Sequence, residues 1–273
     1  MATSGILSDY CERKWLDLVL SGTAFAQPDI YLALFTADPG EAGSLANEVS
    51  GTGYNRIACA NWSAPSGRAI GNSDTVIFPT AGAGGWNTVT HVGIMDGATP
   101  GAGNLLARIQ ITVAKTVAAG ETPQFAATQI AISVPTGNGL PTTMANALLN
   151  HVFRKAAGGT AYSAPGTKKI ALCSASPGDA GTITSPSGNA YAHTTQNTWI
   201  AAATDGSNIT RIKNDGACVF PTATPAGWGP LTYGAAVDGS NVCLFYGPLT
   251  TPITVAAGDT PTWANQAFVI RLN

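Results

Sequence analysis

Charged side chains are scarce in this sequence of 273 residues, where Asp, Glu, Lys and Arg together make up 10% of the chain. An average soluble domain carries roughly 25%. A folded chain with so few charges is expected to cover much of its surface by contact with partners or with copies of itself. The alternative is a neutral β-protein coated with Ser, Thr, Asn and Gly, and composition leaves both interpretations open.

Basic clusters and long apolar runs are missing as well. The net charge is −2, and the longest basic runs are dipeptides such as Lys168-Lys169, so nucleic-acid binding is not expected. No apolar run approaches the roughly 18 residues needed to span a bilayer, so membrane insertion is not expected either. The first residues lack the charged and apolar regions of a signal peptide, which favours assembly in a cytoplasm.

Cysteine and histidine show no metal-site or disulfide pattern. The five cysteines have no C-x-x-C spacing, and His91, His151 and His193 are scattered. Buried free thiols are the expectation, with neither a metal nor a cofactor. Coiled-coil heptads and collagen-like repeats are also absent, which disfavours a long self-standing fibre.

The second half of the sequence repeats the first half. Residues 22–25, 33–43, 78–81 and 117–123 return in the same order as residues 159–162, 171–181, 220–223 and 255–261. Such self-similarity indicates a tandem duplication. A segment with two prolines enclosing glycines separates the copies. We therefore predict a first domain over residues 1–134, a linker over 135–143 and a second domain over 144–273.

Each copy is predicted to open with a short amphipathic helix. Residues 6–19 have apolar positions at helical spacing, with Asp9 and Glu12 at capping-box spacing. In the second copy Thr143 is the candidate N-cap, and Gly158-Gly159 ends the helix. We expect the apolar face of each helix to cover the sheet that follows.

Short runs rich in β-branched and aromatic residues follow each helix, separated by Gly- and Pro-bearing turns. With no helix between them, they predict two antiparallel β-sandwich domains and a mainly β fold. The strands are predicted at residues 30–35, 54–60, 75–78, 88–95, 105–113 and 125–134, and in the second copy at 169–173, 218–220, 231–237, 242–246 and 263–272.

No catalytic constellation is evident. The acidic residues that recur between the copies lie in turns, where turn formation explains them: Glu41 with Asp179, Asp96 with Asp238, and Glu121 with Asp259. None of the histidines recurs. The glycine-rich residues 81–85 lack the Lys-Ser/Thr of a phosphate-binding loop. We therefore expect a protein that is not an enzyme.

Aromatic residues are what the copies share. The candidate interface or glycan contacts are Trp86, Trp228, Tyr54 and Tyr191, together with Arg56. The other interpretation is core packing, which we prefer for Phe78, Phe220, Phe125 and Trp263. For Trp86 and Trp228, which lie in Gly-rich loops, both interpretations stay open.

The first copy resembles a tailed-bacteriophage domain of the tail-fibre-like type. Residues 47–56 (Asn-Glu-Val-Ser-Gly-Thr-Gly-Tyr-Asn-Arg) are its most specific part, and residues 31–43, 76–79, 86–94, 104–106 and 117–120 extend it. The second copy departs from it, because residues 182–189 lack the Asn-Glu-Val and Tyr191 is followed by Ala192-His193. A contact made by this segment is expected to be lost or changed there.

The resemblance implies a non-enzymatic virion protein, assembled in the host cytoplasm. One hypothesis is a tail or tail-fibre module exposed on the particle, and the alternative is a decoration protein that cements the capsid. A secreted carbohydrate-binding or hydrolytic protein is disfavoured by the missing signal peptide and carboxylate pair. The expected partners are other virion proteins of the tail, baseplate or capsid, copies of the chain itself in a homo-oligomer such as a trimer, and a host-surface glycan.

Overall fold

A computed structural model describes residues 5–272 of the chain. Residues 1–4 and 273, which fall within the two predicted domains, lie outside the described residues. The fold is mainly β and its strand ladders are antiparallel, which confirms the predicted class.

The first half of the chain forms a five-stranded sheet and two short ribbons. The sheet has the order β1-β7-β6-β2-β3, and the ribbons pair β4 with β9 and β5 with β8. The elements are β1 (Ile6–Leu7), α1 (Asp9–Leu16) with a π-helical turn over Asp17–Ser21, β2 (Tyr31–Phe35), β3 (Ile57–Ala58), β4 (Ala69–Gly71), β5 (Val76–Ile77), β6 (Asn87–Met95), β7 (Leu105–Val117), β8 (Gln124–Phe125) and β9 (Ala131–Ser133).

The second half repeats this plan. Its main sheet has the order β11-β10-β15-β16, a three-stranded sheet has the order β12-β13-β18, and β14 pairs with β17. The elements are α2 (Thr142–Phe153), β10 (Lys168–Cys173), β11 (Thr194–Thr195), β12 (Trp199–Thr204), β13 (Thr210–Asn214), β14 (Cys218–Val219), β15 (Trp228–Asp238), β16 (Cys243–Val255), β17 (Thr262–Trp263) and β18 (Val269–Leu272).

The core of each half lies on its central strands. β2 pairs with β6 through Leu32 and Ile94, and β10 pairs with β15 through Ile170 and Ala236. All four side chains are fully buried. Their burial on both copies of the same ladder follows from the apolar runs that predicted these strands.

The compact units of the molecule draw on both copies. Among the described residues, unit 1 comprises 5–12, 26–134 and 146–162, and unit 2 comprises 13–25, 135–145 and 163–272. In unit 2 the Asp17 carboxylate accepts a hydrogen bond from the Ala202 N–H at 2.7 Å. In unit 1 the rings of Trp62 and Phe153 lie 5.2 Å apart. The C-terminal part of each helix therefore belongs to the unit built on the other copy's strands. The domain boundaries proposed above stay a prediction.

The first helix starts later than the sequence predicts. Ile6 and Leu7 form β1, which pairs with Arg108 and Ala107 of β7. The N-cap is Ser8 rather than Asp9, because the Ser8 Oγ accepts the N–H of Cys11 at 3.2 Å. α2 likewise begins at Thr142, one residue before the predicted cap.

The strand predicted over residues 125–134 is interrupted. Thr128 has a φ of 65°, and the Asn72 Oδ1 accepts the Ile130 N–H at 2.9 Å, which takes that N–H out of a strand ladder. The second copy repeats the device, since the Asn214 Oδ1 accepts the Phe268 N–H at 2.8 Å. An asparagine side chain in place of a neighbouring strand explains why β8 and β9, and β17 and β18, are separate.

Candidate functional site

Tyr54 and its counterpart Tyr191 each fasten a loop to the central strand of a sheet. The Tyr54 hydroxyl accepts the Leu34 N–H at 2.9 Å, and the Tyr191 hydroxyl accepts the Leu172 N–H at 2.7 Å. Burial is the main reason that the pKa of Tyr54 is raised well above its usual range and that of Tyr191 to about 12. Both phenols therefore stay protonated at neutral pH and act as hydrogen-bonding groups.

Trp86 and Trp228 lie against these tyrosines. The ring centroids of Tyr54 and Trp86 are 5.4 Å apart, and those of Tyr191 and Trp228 are 5.0 Å apart, both edge to face. The indole N–H of Trp86 donates to the Thr52 carbonyl at 3.0 Å. That of Trp228 donates to the Asn189 carbonyl at 2.9 Å.

Both tryptophans are packing residues in this structure, since Trp86 is 1% and Trp228 is 3% exposed. The glycine before each one is needed for the same packing, because an added Cβ at Gly85 or Gly227 would collide with the carbonyl of Val117 or Val255. The contact role considered for the two tryptophans stays a prediction, and almost none of their surface is accessible to a partner.

Arg56 points inward and holds a buried ion pair. Its Nε and Nη2 donate to the two carboxylate oxygens of Glu48 at 2.7 and 2.8 Å, and the two side chains are 0% and 3% exposed. The remaining Nη1 donates to the carbonyls of Gly97 and Ala102 at 2.8 and 2.7 Å. The Tyr54 hydroxyl also donates to Glu48 at 3.1 Å.

The loop between β6 and β7 closes over this ion pair. Besides the two carbonyls that receive Arg56, the loop contributes the Gly101 N–H, which donates to the Glu48 carboxylate at 2.7 Å. The glutamate is therefore satisfied by a phenol, a guanidinium and a backbone amide. We name Glu48, Tyr54 and Arg56 the ion-pair cluster.

The same positions of the second copy hold Ser185, Tyr191 and His193, which we name the histidine cluster. The Tyr191 and Ser185 hydroxyl oxygens lie 3.3 Å apart, and the Ser185 Oγ lies 3.1 Å from the His193 Nε2. The His193 Nδ1 lies 3.0 Å from the Asn241 Oδ1. Because an amide oxygen only accepts, Nδ1 carries the ring proton and Nε2 accepts from Ser185.

The surroundings of His193 disfavour the protonated form of its imidazole. Burial lowers the pKa of His193, the charge of Lys169 lowers it further, and the hydrogen bond to Asn241 opposes them. Lys169 itself donates to the Gly239 carbonyl at 2.9 Å and lies 3.4 Å from the Asn241 Oδ1.

An open polar cavity of about 330 Å³ adjoins the histidine cluster. Its lining is Lys169, Ser185, Pro186, Tyr191, Ala192, His193 and Asn241. Of the five residues singled out from the sequence, only Tyr191 lines it. Glu48, Lys169 and Asn241 were not among the predicted site residues, although the loss of Asn-Glu-Val in the second copy pointed to the segment that changed.

The other candidate groups have structural roles. All five cysteines are free and buried, as expected, and burial raises the pKa of Cys59 and Cys243 to about 12. Glu121 and Asp259 accept the N–H groups of Ala118 and Ala256 in equivalent turns, which confirms their interpretation as turn formers.

The described residues contain neither a metal-binding cluster nor a membrane-spanning helix. Across residues 5–272, no group of three or more His, Cys, Asp and Glu side chains is placed to hold a metal ion. Within the same residues, every helix is too short or too polar to cross a membrane.

Comparison with known proteins identifies one family. A family model described as "Podophage GP4 fiber I protein gp80" matches the chain twice, over residues 6–133 and over residues 139–271. No curated protein matches the chain. The two matches confirm the tandem tail-fibre-like resemblance found in the sequence.

Proposed function

The chain belongs to the podophage GP4 fiber I protein gp80 family, and we propose that it is a fibre module exposed on the particle that acts through protein–protein contacts. Membership of this family supports a structural role for the chain in the phage tail fibre. Contacts with other virion proteins, assembly in the host cytoplasm and the lack of an enzymatic activity are parts of the proposal.

An exposed two-stranded ribbon formed by β6 and β7 supports the proposal. β6 and β7 continue to pair through Asn87 and Val117, well past the residues that pair with β2. Residues 112–116 of β7 are all exposed, and Val113 is 75% exposed. Such a ribbon, with an aliphatic side chain in water, is a surface suited to strand addition or packing by another chain.

The equivalent ribbon of the second copy differs in one respect. Residues 247–254 of β16 are also largely exposed, yet this segment contains Pro248 and Pro252, which have no N–H to donate. Proline on an edge strand blocks pairing with a further strand. We therefore assign the contact to the β7 ribbon rather than to the β16 ribbon, with a second copy or another fibre protein as its partner.

Localisation and association test this function together. Gold labelling or cryo-EM of the particle is expected to place the chain on the tail fibre, and sedimentation velocity is expected to show concentration-dependent association. Val113→Asp should weaken that association, whereas Ile77→Asp, another exposed aliphatic of the same unit, serves as the control. A label on the capsid would favour the decoration alternative, and a monomer at all concentrations that ignores other virion proteins would reject the proposal.

The hydrogen bonds that link Ser185 to His193 and His193 to Asn241 follow the order found in a hydrolytic triad. In the first copy the corresponding Glu48 fastens Tyr54, which supports the same structural role for Ser185. We expect Ser185→Ala to leave the background hydrolysis of p-nitrophenyl acetate unchanged, and a rate that depends on Ser185 would contradict the non-enzymatic assignment.

A further inference from the structure

The cavity beside His193 follows from two differences between the copies. In the first copy the Arg56 guanidinium and the loop over residues 96–104 close the ion-pair cluster. In the second copy the arginine is replaced by the shorter His193, and the connection between β15 and β16 is reduced to residues 239–242. The loop atoms that receive Arg56 in the first copy therefore have no equivalent above the histidine cluster.

The wall of the cavity is rich in hydrogen-bond donors. The Lys169 ammonium has three protons, of which two are directed to Gly239 and Asn241. The Asn241 side chain uses its Oδ1 to receive His193 and Lys169, which leaves the two protons of its amide nitrogen for a ligand. None of the seven lining residues is acidic, so the cavity favours a ligand that brings negatively charged acceptor oxygens.

The remaining lining is suited to a sugar ring. Pro186, Ala192 and the part of Tyr191 that is not covered by Phe220 and Trp228 provide apolar surface beside the donors. A pyranose presents the matching combination of C–H groups and hydroxyls. The cavity is open to solvent, and its volume of about 330 Å³ is enough for one sugar ring.

We propose that this cavity binds a single sugar ring that carries a carboxylate, as in an acidic polysaccharide of a host surface. The carboxylate lies against Lys169 and the Asn241 amide, and the ring lies against Tyr191. The inference rests on the proposed function for its biological setting, because an exposed fibre meets such surfaces. The glycan expected at Tyr191 is thereby an acidic sugar, selected by Lys169 and Asn241.

Titration of the purified full chain with methyl β-D-glucuronide tests the proposal, with the ring resonances of His193 and calorimetry as readouts. The neutral methyl β-D-glucoside differs only in having a hydroxymethyl group where the glucuronide has a carboxylate. We expect the glucuronide to shift the His193 resonances in a saturable manner, and the glucoside to bind at least ~10-fold more weakly, a difference of about 1.4 kcal/mol.

Two variants probe the donors. Asn241→Asp keeps an oxygen acceptor for His193 and Lys169 but repels a carboxylate, so it should weaken glucuronide binding ~10-fold or more while the fold is retained. Lys169→Met keeps most of the alkyl stem and should have the same effect. Lys213→Met, on β13 of the same unit and outside the cavity lining, is the matched control and should bind like the original chain.

Equal binding of the two sugars, no binding of either, or unchanged binding by Asn241→Asp would overturn the proposal. Sodium acetate that competes as well as the glucuronide would also overturn it, by showing a carboxylate site without sugar recognition. These measurements use the isolated chain, so a chain that does not bind the sugar can still be located on the tail fibre. A chain located elsewhere on the particle can likewise still bind the sugar.

Discussion

The ion-pair cluster of the first copy and the histidine cluster of the second occupy equivalent positions with different chemistry. Both tyrosines bind the backbone N–H of the same strand position. In the first copy this tyrosine adjoins a buried Glu48–Arg56 ion pair that is closed by a loop. In the second copy it adjoins Ser185 and His193 beside an open cavity. The tyrosine and tryptophan therefore maintain the fold in both copies, whereas their polar neighbours have diverged.

The largest expected effect comes from breaking the ion pair. Arg56→Ala should lower the free energy of unfolding by about 3–5 kcal/mol, because the Glu48 carboxylate stays buried without its cation. The loop carbonyls of Gly97 and Ala102 lose their donor in the same variant. Urea denaturation followed by tryptophan fluorescence measures the change.

His193→Ala is the matched control, and we expect it to cost about 1 kcal/mol, the size of one neutral hydrogen bond. Equal losses in the two variants would show that burial of charge is not what distinguishes the two clusters.

A middle-sized effect should be equal in the two copies. Trp86→Phe and Trp228→Phe each remove an indole N–H that donates to a loop carbonyl, and each should cost about 1–3 kcal/mol. Thermal unfolding of the two variants, compared with the original chain, measures the change. If both variants unfolded like the original chain, the structural role of these rings would be wrong and a contact role would gain support.

The smallest effect concerns pH. The folded chain lowers the pKa of His193 below the ordinary value of 6.5, so the unfolded chain takes up the proton more readily. The stabilising contribution is therefore complete above pH 6.5 and is lost as the pH falls through the lower folded pKa. Lys169 is the cation that faces this ring, and Asn241 is its hydrogen-bond acceptor.

His193→Gln should accordingly make the fall of unfolding free energy below pH 6.5 shallower, as measured by urea titrations at several pH values. An unchanged slope would mean that the His193 imidazole takes up a proton as readily in the folded chain as in the unfolded chain. His91→Gln is the comparison in the first unit, because burial also lowers the pKa of His91 while Asp38 opposes the shift.

The sequence predicted the strands best where apolar residues and turn signals were unambiguous. Strands at residues 30–35 and 88–95 agree with β2 and β6, because their side chains pack in the core of one sheet. The break between β8 and β9 was missed, since it depends on the distant Asn72 side chain taking the Ile130 N–H. Local pattern carries no information about such a long-range bond.

The candidate site was predictable only in part. Pairing Tyr54 with Tyr191 and Trp86 with Trp228 correctly identified the residues that the two copies share. Exposure was harder to infer: Arg56 was singled out as a contact residue, and its burial depends on Glu48 and on a loop more than 40 residues away along the chain. Lys169 and Asn241 reach the histidine cluster through strand pairing and a short hairpin, which spacing alone does not reveal.

The distribution of the helices over the two compact units bears on how this protein can be divided. A fragment that ends at residue 134 would keep the strands of unit 1 but lose residues 146–162, which complete that unit. The complementary fragment would lack residues 13–25. We therefore expect neither fragment to fold on its own, so that grafting or truncating this fibre by repeat should require both halves of the polypeptide.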